Sequence, residues 1–275
     1  MTTPLPLPKL ITFDGEARSG KGTIVQLVKD HIRDELGMKV MLIDAGQVFR
    51  CLVVAATNRG VDVDDPNAID AFLGDDRSAE ECVQFVKAVY HMQKIDRDAI
   101  LYTNEVSVGS AKIGARPLSQ VFKDELLKKW LRDAGNERYD VVLLDGRALE
   151  EVGVRLEAQG LCNFVMGLYF VCDPIVGARR TLGYADMFYD SLDSERQAAV
   201  DELVKQIVSR NEADRTRSVQ PIVPPAGAPR YILPDIPLTA LTDERFMATI
   251  DTSAEMKKDK MAMPVITLVS RMLTR

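Results

Sequence analysis

Gly15, Gly20 and Lys21 stand at G-x-x-x-x-G-K spacing inside LITFDGEARSGKGTIVQL, residues 10–27. Glycines at those places let the backbone turn tightly, so successive amides from Gly15 through Glu16, Ala17, Arg18, Ser19, Gly20, Lys21, Gly22 and Thr23 can face one phosphate chain. A helix opening there adds a partial positive charge, and Lys21 adds a mobile full one for the outer phosphates. A second group is Asp145-Gly146-Arg147, at the end of an apolar run. A carboxylate so placed either accepts hydrogen bonds from metal-bound water or caps the turn that follows. A third is Arg210, Asp214, Arg215 and Arg217, which reads as an anion site or as a solvated helix end. Arginine suits phosphate because its planar fork pairs oxygens bidentately. No Ser-His-Asp or Cys-His arrangement competes, since the only histidines are His31 and His91. Cys51, Cys82, Cys162 and Cys172 form no C-x-x-C pair, so they read as buried free thiols.

These residues need a frame. Leu10–Phe13 is a short apolar run with a β-branched core, a buried strand. Ile24, Val28, Ile32 and Leu36 then recur at helical spacing, and Gly37 stops the helix. Further strands are expected at Lys39–Ile43, Val141–Leu144, Leu168–Val171 and Phe246–Ile250, making five in all. An apolar helix covers Cys51–Thr57, and residues 58–105 read as an insertion. The insertion opens with Asp62, Asp64, Asp65, Asp75 and Asp76, carries a helix over Ala79–Tyr90 and ends in a short strand near Ala99–Tyr102. A helix over Leu118–Asp133 carries an apolar stripe of Val121, Phe122, Leu126, Leu127 and Trp130. A long helix covers Ser194–Arg210, with Ala199, Leu203 and Ile207 inward. Val219–Pro237 is proline-rich and reads as extended loop, and Met263–Leu273 as a closing helix.

At 275 residues, 46% hydrophobic and 28% charged, the chain has an ordinary globular composition. A net charge of −6 argues against broad binding to nucleic acid or anionic membranes. No apolar run approaches a bilayer span, and MTTPLPLPKL lacks the basic-then-apolar pattern of a secretory leader. A cytoplasmic location is expected.

The GKGT ending, with Gly22 between Lys21 and Thr23, resembles nucleoside and nucleotide monophosphate kinases more than GTPases. Taken in order, the segments resemble the cytidylate kinase family. ITFDGEARSGKGT looks like its phosphate loop and LIDAGQVFRCLVVAATNRGVDVDD like its D-[ST]-G-x-x-Y-R stretch. DAILYTNEVS, VVLLDGR, YFVCDPIVGARR, RNEADRTRSVQPIVP and ATIDTS look like its later signatures. The resemblance implies an α/β phosphate-loop fold with a parallel sheet of five strands. The core would be residues 1–57 and 106–275, with a lid near 181–196 and an acceptor-binding insert at 58–105. It implies a monomer that moves the γ-phosphoryl group of ATP to CMP or dCMP with Mg2+, acting on small nucleotides and not on a nucleic-acid polymer or a membrane. Residue by residue, it implies that Gly15–Thr23 hold ATP and that Arg179 and Arg180 approach ATP from the lid side. Gly46, Arg50, Ser110, Arg147, Arg210, Asp214 and Arg217 would hold the acceptor. Lys21, Arg147, Arg210 and Asp145 would carry the transfer, Asp145 binding the metal through water. Such a transfer asks the protein for in-line positioning and charge neutralisation, with no strong general base.

The sequence also departs from the family. Arg18 stands where the family has glycine, and Ala45 replaces a hydroxyl residue before Gly46. Ala148 follows Arg147 where the family has an aspartate that contacts the acceptor, so Glu150 or Glu151 would have to supply a carboxylate to the base. The segment with the family's base-contacting serine and arginine matches Ser110–Lys123 only loosely, and residues 226–242 are additional. Two other functions remain open at this level: a nucleotide-binding protein that has lost transferase activity, and a kinase of another small acceptor.

Overall fold

The computed structural model describes residues 6–147, 149–217, 221–242 and 244–275, except for the side chain of Lys94. In chain order the elements are β1 (Lys9–Gly15), α1 (Lys21–Asp34), β2 (Val40–Asp44), α2 (Ala45–Asn58), α3 (Pro66–Gly74), α4 (Asp76–Tyr90), α5 (Lys94–Leu101), α6 (Asn104–Gly114), α7 (Pro117–Asn136), β3 (Val141–Asp145), α8 (Leu149–Ala158), β4 (Asn163–Val171), α9 (Pro174–Thr181), α10 (Ser194–Thr216), β5 (Arg230–Ile232), β6 (Phe246–Asp251) and α11 (Lys258–Leu273). They form two compact units, one of Met1–Ile43 with Ala134–Arg275 and one of Asp44–Asp133.

In the first unit the sheet runs β2-β3-β1-β4-β6-β5. The pairings β1–β3, β1–β4, β4–β6 and β5–β6 are parallel. Helices cover a parallel sheet on both faces, so its central strands are mainly apolar, and Leu10, Ile11 and Phe13 of β1 are fully buried. On one face Ile11, Phe13, Leu168 and Phe170 pack with Ile24, Val28 and Ile32 of α1 and Val265 and Val269 of α11. β1 therefore lies in the middle of the sheet, and its C-terminal end delivers the glycine loop.

Among the described residues the strands number six, not five. The additional one, β5, lies in the segment read as extended loop, within the extra residues 226–242. Pro229 and Pro234 bound it, it is three residues long, and it pairs on one side only, with β6. Proline tolerates such an edge position, and three residues are too few to show a periodicity.

The second unit is helical. Asp65 and Asp75 cap α3 and α4, their side chains accepting from the amides of Asn67 and Ser78, so part of the acidic run serves helix initiation. The strand expected near Ala99–Tyr102 is instead the end of α5. Leu101 from that turn packs with Val48, Cys51, Val86, Val89 and Leu126. A four-residue apolar run fits either element, and these contacts decide for helix. The helix α2, assigned to the core from sequence, belongs to this unit. On α7, Leu126 and Leu127 are buried but Val121 is 57% exposed. On α10 the inward residues are Val200, Leu203, Ile207 and Asn211, while Ala199 faces solvent. Among the described residues no helix is long and apolar enough to cross a membrane.

Candidate active site

β1 ends at Gly15, whose φ of 143° lies outside the range of L side chains, and a Cβ there would overlap the Phe170 carbonyl. The loop that follows is braced from three sides. The Glu16 amide donates to Phe170 O of β4 at 2.8 Å. The Ala17 amide donates to Asn211 Oδ1 of α10 at 2.9 Å. Thr252, just past β6, donates from Oγ1 to Ser19 O at 2.8 Å. Gly20, with φ 79°, opens α1 without a side-chain cap. At this helix start the amides of Thr23 and Ile24 donate to Gly20 O at 3.1 and 3.2 Å, and the first turn of a helix is the end that favours an anion. Arg18 holds a left-handed φ of 59° with its side chain in solvent.

Lys21 opens α1 and forms an ion pair with Asp145 at the end of β3, their side chains 15% and 14% exposed. The Asp145 carboxylate thus faces Lys21. The carboxylate that caps α8 is that of Asp14, which accepts from the Leu149 amide through Oδ2 at 2.9 Å. The sequence reading passed over Asp14; its signal was a carboxylate inside a run otherwise dictated by burial. Burial pushes its proton affinity up, against the Leu149 and Gly15 amides and the charges of Lys21 and Arg147.

Three predicted arginines meet one predicted carboxylate in the same unit. Arg147 forms an ion pair with Asp214. Arg210 Nε and Arg217 Nη1 each lie 4.0 Å from that carboxylate. Burial and the neighbouring Arg210 guanidinium push Arg147 down to about 9, which leaves it a cation at neutral pH. Arg215 turns the other way and pairs with Glu16 of the loop. The C-terminal part of α10 therefore reaches the glycine loop through Asn211 and Arg215 and the arginine cluster through Asp214.

Arg179 and Arg180 brace α9 against the segment after β6. Arg179 bonds Glu255 at 2.6 Å, and Arg180 donates to the carbonyls of Thr252 and Ala254 at 2.7 and 2.6 Å. A cavity of about 330 Å3 is bordered by Arg179, Met187, Phe188, Glu255, Met256 and Lys260. A second, of about 350 Å3, lies against the sheet and is bordered by Asp14, Glu150, Glu151, Tyr169 and Pro224, so both glutamates face it.

In the second unit Arg50 donates to Leu101 O and Ser107 Oγ, both at 2.9 Å, and lies over the Tyr102 ring at 4.5 Å. Ser110 donates back to Ser107 O at 2.9 Å, and Gly46 is the second residue of α2. Ala148 lies outside the described residues. Among those described, no three His, Cys, Asp or Glu side chains gather as a metal cage. A magnesium ion shared with phosphates needs none, because it keeps several waters and takes one or two carboxylates, and Asp145 at the loop fits that requirement.

The description "Cytidylate kinase" belongs to the family model that matches residues 11–233. Among curated proteins the chain is similar to the cytidylate kinase of Shewanella sediminis, 27% identical over 228 residues, covering 80% of this chain and 85% of that protein. It is similar to that of Shewanella loihica, 27% identical over 225 residues, with 80% and 84% covered. It is also similar to that of Pseudomonas aeruginosa strain PAO1, 27% identical over 221 residues, with 78% and 83% covered. With the family match spanning most of the chain, a parallel sheet ending in a glycine loop, and a lysine–aspartate pair beside it, the protein belongs to the cytidylate kinase family of nucleoside monophosphate kinases.

Proposed function

We propose that the protein transfers the γ-phosphoryl group of ATP to CMP or dCMP, giving ADP and CDP or dCDP. One observation carries the reading: Lys21 and Asp145 at the glycine loop, with Arg147, Arg210 and Arg217 around Asp214 in the same unit. Converging cations of this kind are what a phosphoryl transfer requires, since little covalent help is needed.

In this reading Lys21 and the Gly15–Thr23 loop hold the donor phosphates, the amides of Gly15, Glu16 and Ala17 shaping the loop through Asp14, Phe170 and Asn211. Arg147, Arg210 and Arg217 exchange the Asp214 carboxylate for phosphate oxygens of the acceptor and of the transferring group. Asp214, once released, accepts from a sugar hydroxyl, with Arg217 beside it. Asp145 would hold a magnesium ion through water, and the ion, when bound, would supply charge neutralisation on the outer phosphates. The 330 Å3 cavity beside Arg179 takes the adenine ring. Arg180 contributes by fixing the Thr252–Ala254 backbone near that cavity. Residues 181–196 act as a lid whose closure keeps water from the donor. Gly46, Arg50 and Ser110, with the insert at 58–105, serve the acceptor on the strength of the family resemblance.

The base is the point of departure. Alanine at position 148 cannot accept from a pyrimidine amino group. A missing buried hydrogen bond weakens discrimination by about 1–3 kcal/mol. Selectivity for CMP over UMP is therefore smaller than in relatives that carry the aspartate, and Ala148→Asp sharpens it.

The test is an ADP-release assay with MgATP and CMP, dCMP, UMP or AMP. The reading expects the highest kcat/KM with CMP or dCMP and a modest margin over UMP. A strong CMP preference in the unmodified protein refutes the argument from Ala148. Faster turnover of an acceptor outside this panel refutes the CMP assignment. ATP binding without acceptor-dependent ADP points to a nucleotide-binding protein.

A further inference from the structure

Asp14 ends the apolar part of β1 one residue before the glycine loop and is 8% exposed. Each of its carboxylate oxygens accepts from a different backbone amide. Oδ1 takes the Gly15 amide at 2.7 Å, and Oδ2 takes the Leu149 amide at 2.9 Å. Leu149 is the first residue of α8, so this second bond serves one of the amides that a helix start leaves without an intrahelical acceptor. The residue before it is Ala148, which has no side-chain acceptor with which to cap the helix. The cap therefore comes from another strand. At the other end of the same turn the Gly146 amide donates to Phe13 O at 3.1 Å. The segment Asp145–Leu149, which carries Arg147, is tied at both ends to the last residues of β1, and those residues lead directly into the phosphate loop.

We propose that Asp14 is a positioning residue for phosphoryl transfer: it clamps the turn that carries Arg147 to the strand that carries the phosphate loop. The assignment rests on the reading that Arg147 neutralises the transferring group. A carboxylate is the side chain the clamp requires, because it accepts from two amides at once. Asparagine of the same size has one carbonyl oxygen, and its NH2 group would face the second N–H. Its negative charge also lies among the cations of Lys21, Arg147 and Arg217. A carboxylate that served folding alone would be a costly choice for so buried a place.

The test is a double-mutant cycle of Asp14→Asn and Arg147→Ala, read by ADP release with CMP, by ATP binding to the free enzyme in calorimetry, and by thermal unfolding. Displacing the Arg147 turn by a fraction of an ångström is expected to lower kcat/KM for CMP in Asp14→Asn by roughly ten- to a hundredfold. ATP affinity changes by less than the fall in kcat/KM, because the asparagine carbonyl can keep the Gly15 amide bond. In the Arg147→Ala background Asp14→Asn adds nothing, because the residue it positions is gone. If Asp14→Asn does not fold, Leu149→Pro removes the same amide donor at a helix position that accepts proline, and takes its place in the cycle. Additive losses, or an Asp14→Asn enzyme as active as the unmodified one, overturn the positioning role alone. Unchanged turnover in Arg147→Ala refutes the reading of Arg147, and the positioning role with it.

Discussion

Lys21→Ala is the sharpest perturbation of the proposed transfer. The lysine side chain is 15% exposed and contacts Asp145, which is 14% exposed. A unit charge about 4 Å from a phosphate oxygen contributes about 4 kcal/mol at an effective dielectric near 20. Part of that acts on bound donor and transition state alike and appears in KM. The remainder, charge that develops on the outer oxygens during transfer, sets the loss in kcat. By analogy with other preorganised donors this is at least about a hundredfold, or about 2.7 kcal/mol. Stability responds differently. The pair is mostly buried, so its loss leaves the Asp145 carboxylate without its partner and costs about 1–3 kcal/mol, a shift of several degrees in Tm for a chain of this size. The assay is ADP release at saturating MgATP and CMP, with thermal unfolding of the same preparation. Near-normal kcat in a folded Lys21→Ala protein would refute the assignment of the glycine loop to the donor phosphates. A fall in kcat that merely tracks a large fall in Tm would refute the claim that Lys21 acts on chemistry.

Three other outcomes are expected. Arg18→Gly relieves a left-handed φ of 59° but loosens the unfolded chain, so stability changes by between about 0 and +1 kcal/mol; a loss beyond 1 kcal/mol in urea melts would show that the Arg18 side chain makes stabilising contacts. Asn211→Ala removes the acceptor of the buried Ala17 amide, costing about 1–3 kcal/mol and raising the KM for ATP, so an unchanged melt would show that the loop holds its shape without α10. Burial pushes the thiols of Cys51, Cys82 and Cys162 up to about 12 and raises that of Cys172. The native protein should therefore resist iodoacetamide at pH 8, while all four cysteines react in denaturant; rapid native alkylation seen by mass spectrometry would contradict their burial.

Much of this molecule follows from local rules alone. Glycine spacing, a lysine at a helix start and apolar runs of strand length depend on backbone sterics and on hydrophobic burial, and both act over a few residues. The glycine loop, five of the six strands among the described residues and the arginines of the candidate site were legible for that reason. Three features were not. The strand Arg230–Ile232 exists only because β6 offers it an edge, and its three residues carry no periodic signal of their own. The end of α5 and the inward face of α10 depend on which neighbours Leu101 and Val200 meet, and a short apolar run cannot announce them. The partners of charged residues were hidden as well. That Lys21 meets Asp145, that Asp214 gathers three arginines, and that Asp14 caps a helix beginning at Leu149 are contacts across long stretches of chain. Sequence spacing determined which side chains could do this chemistry. Only the parallel order of the strands, which brings the ends of β1 and β3 side by side, decided which of them stand together.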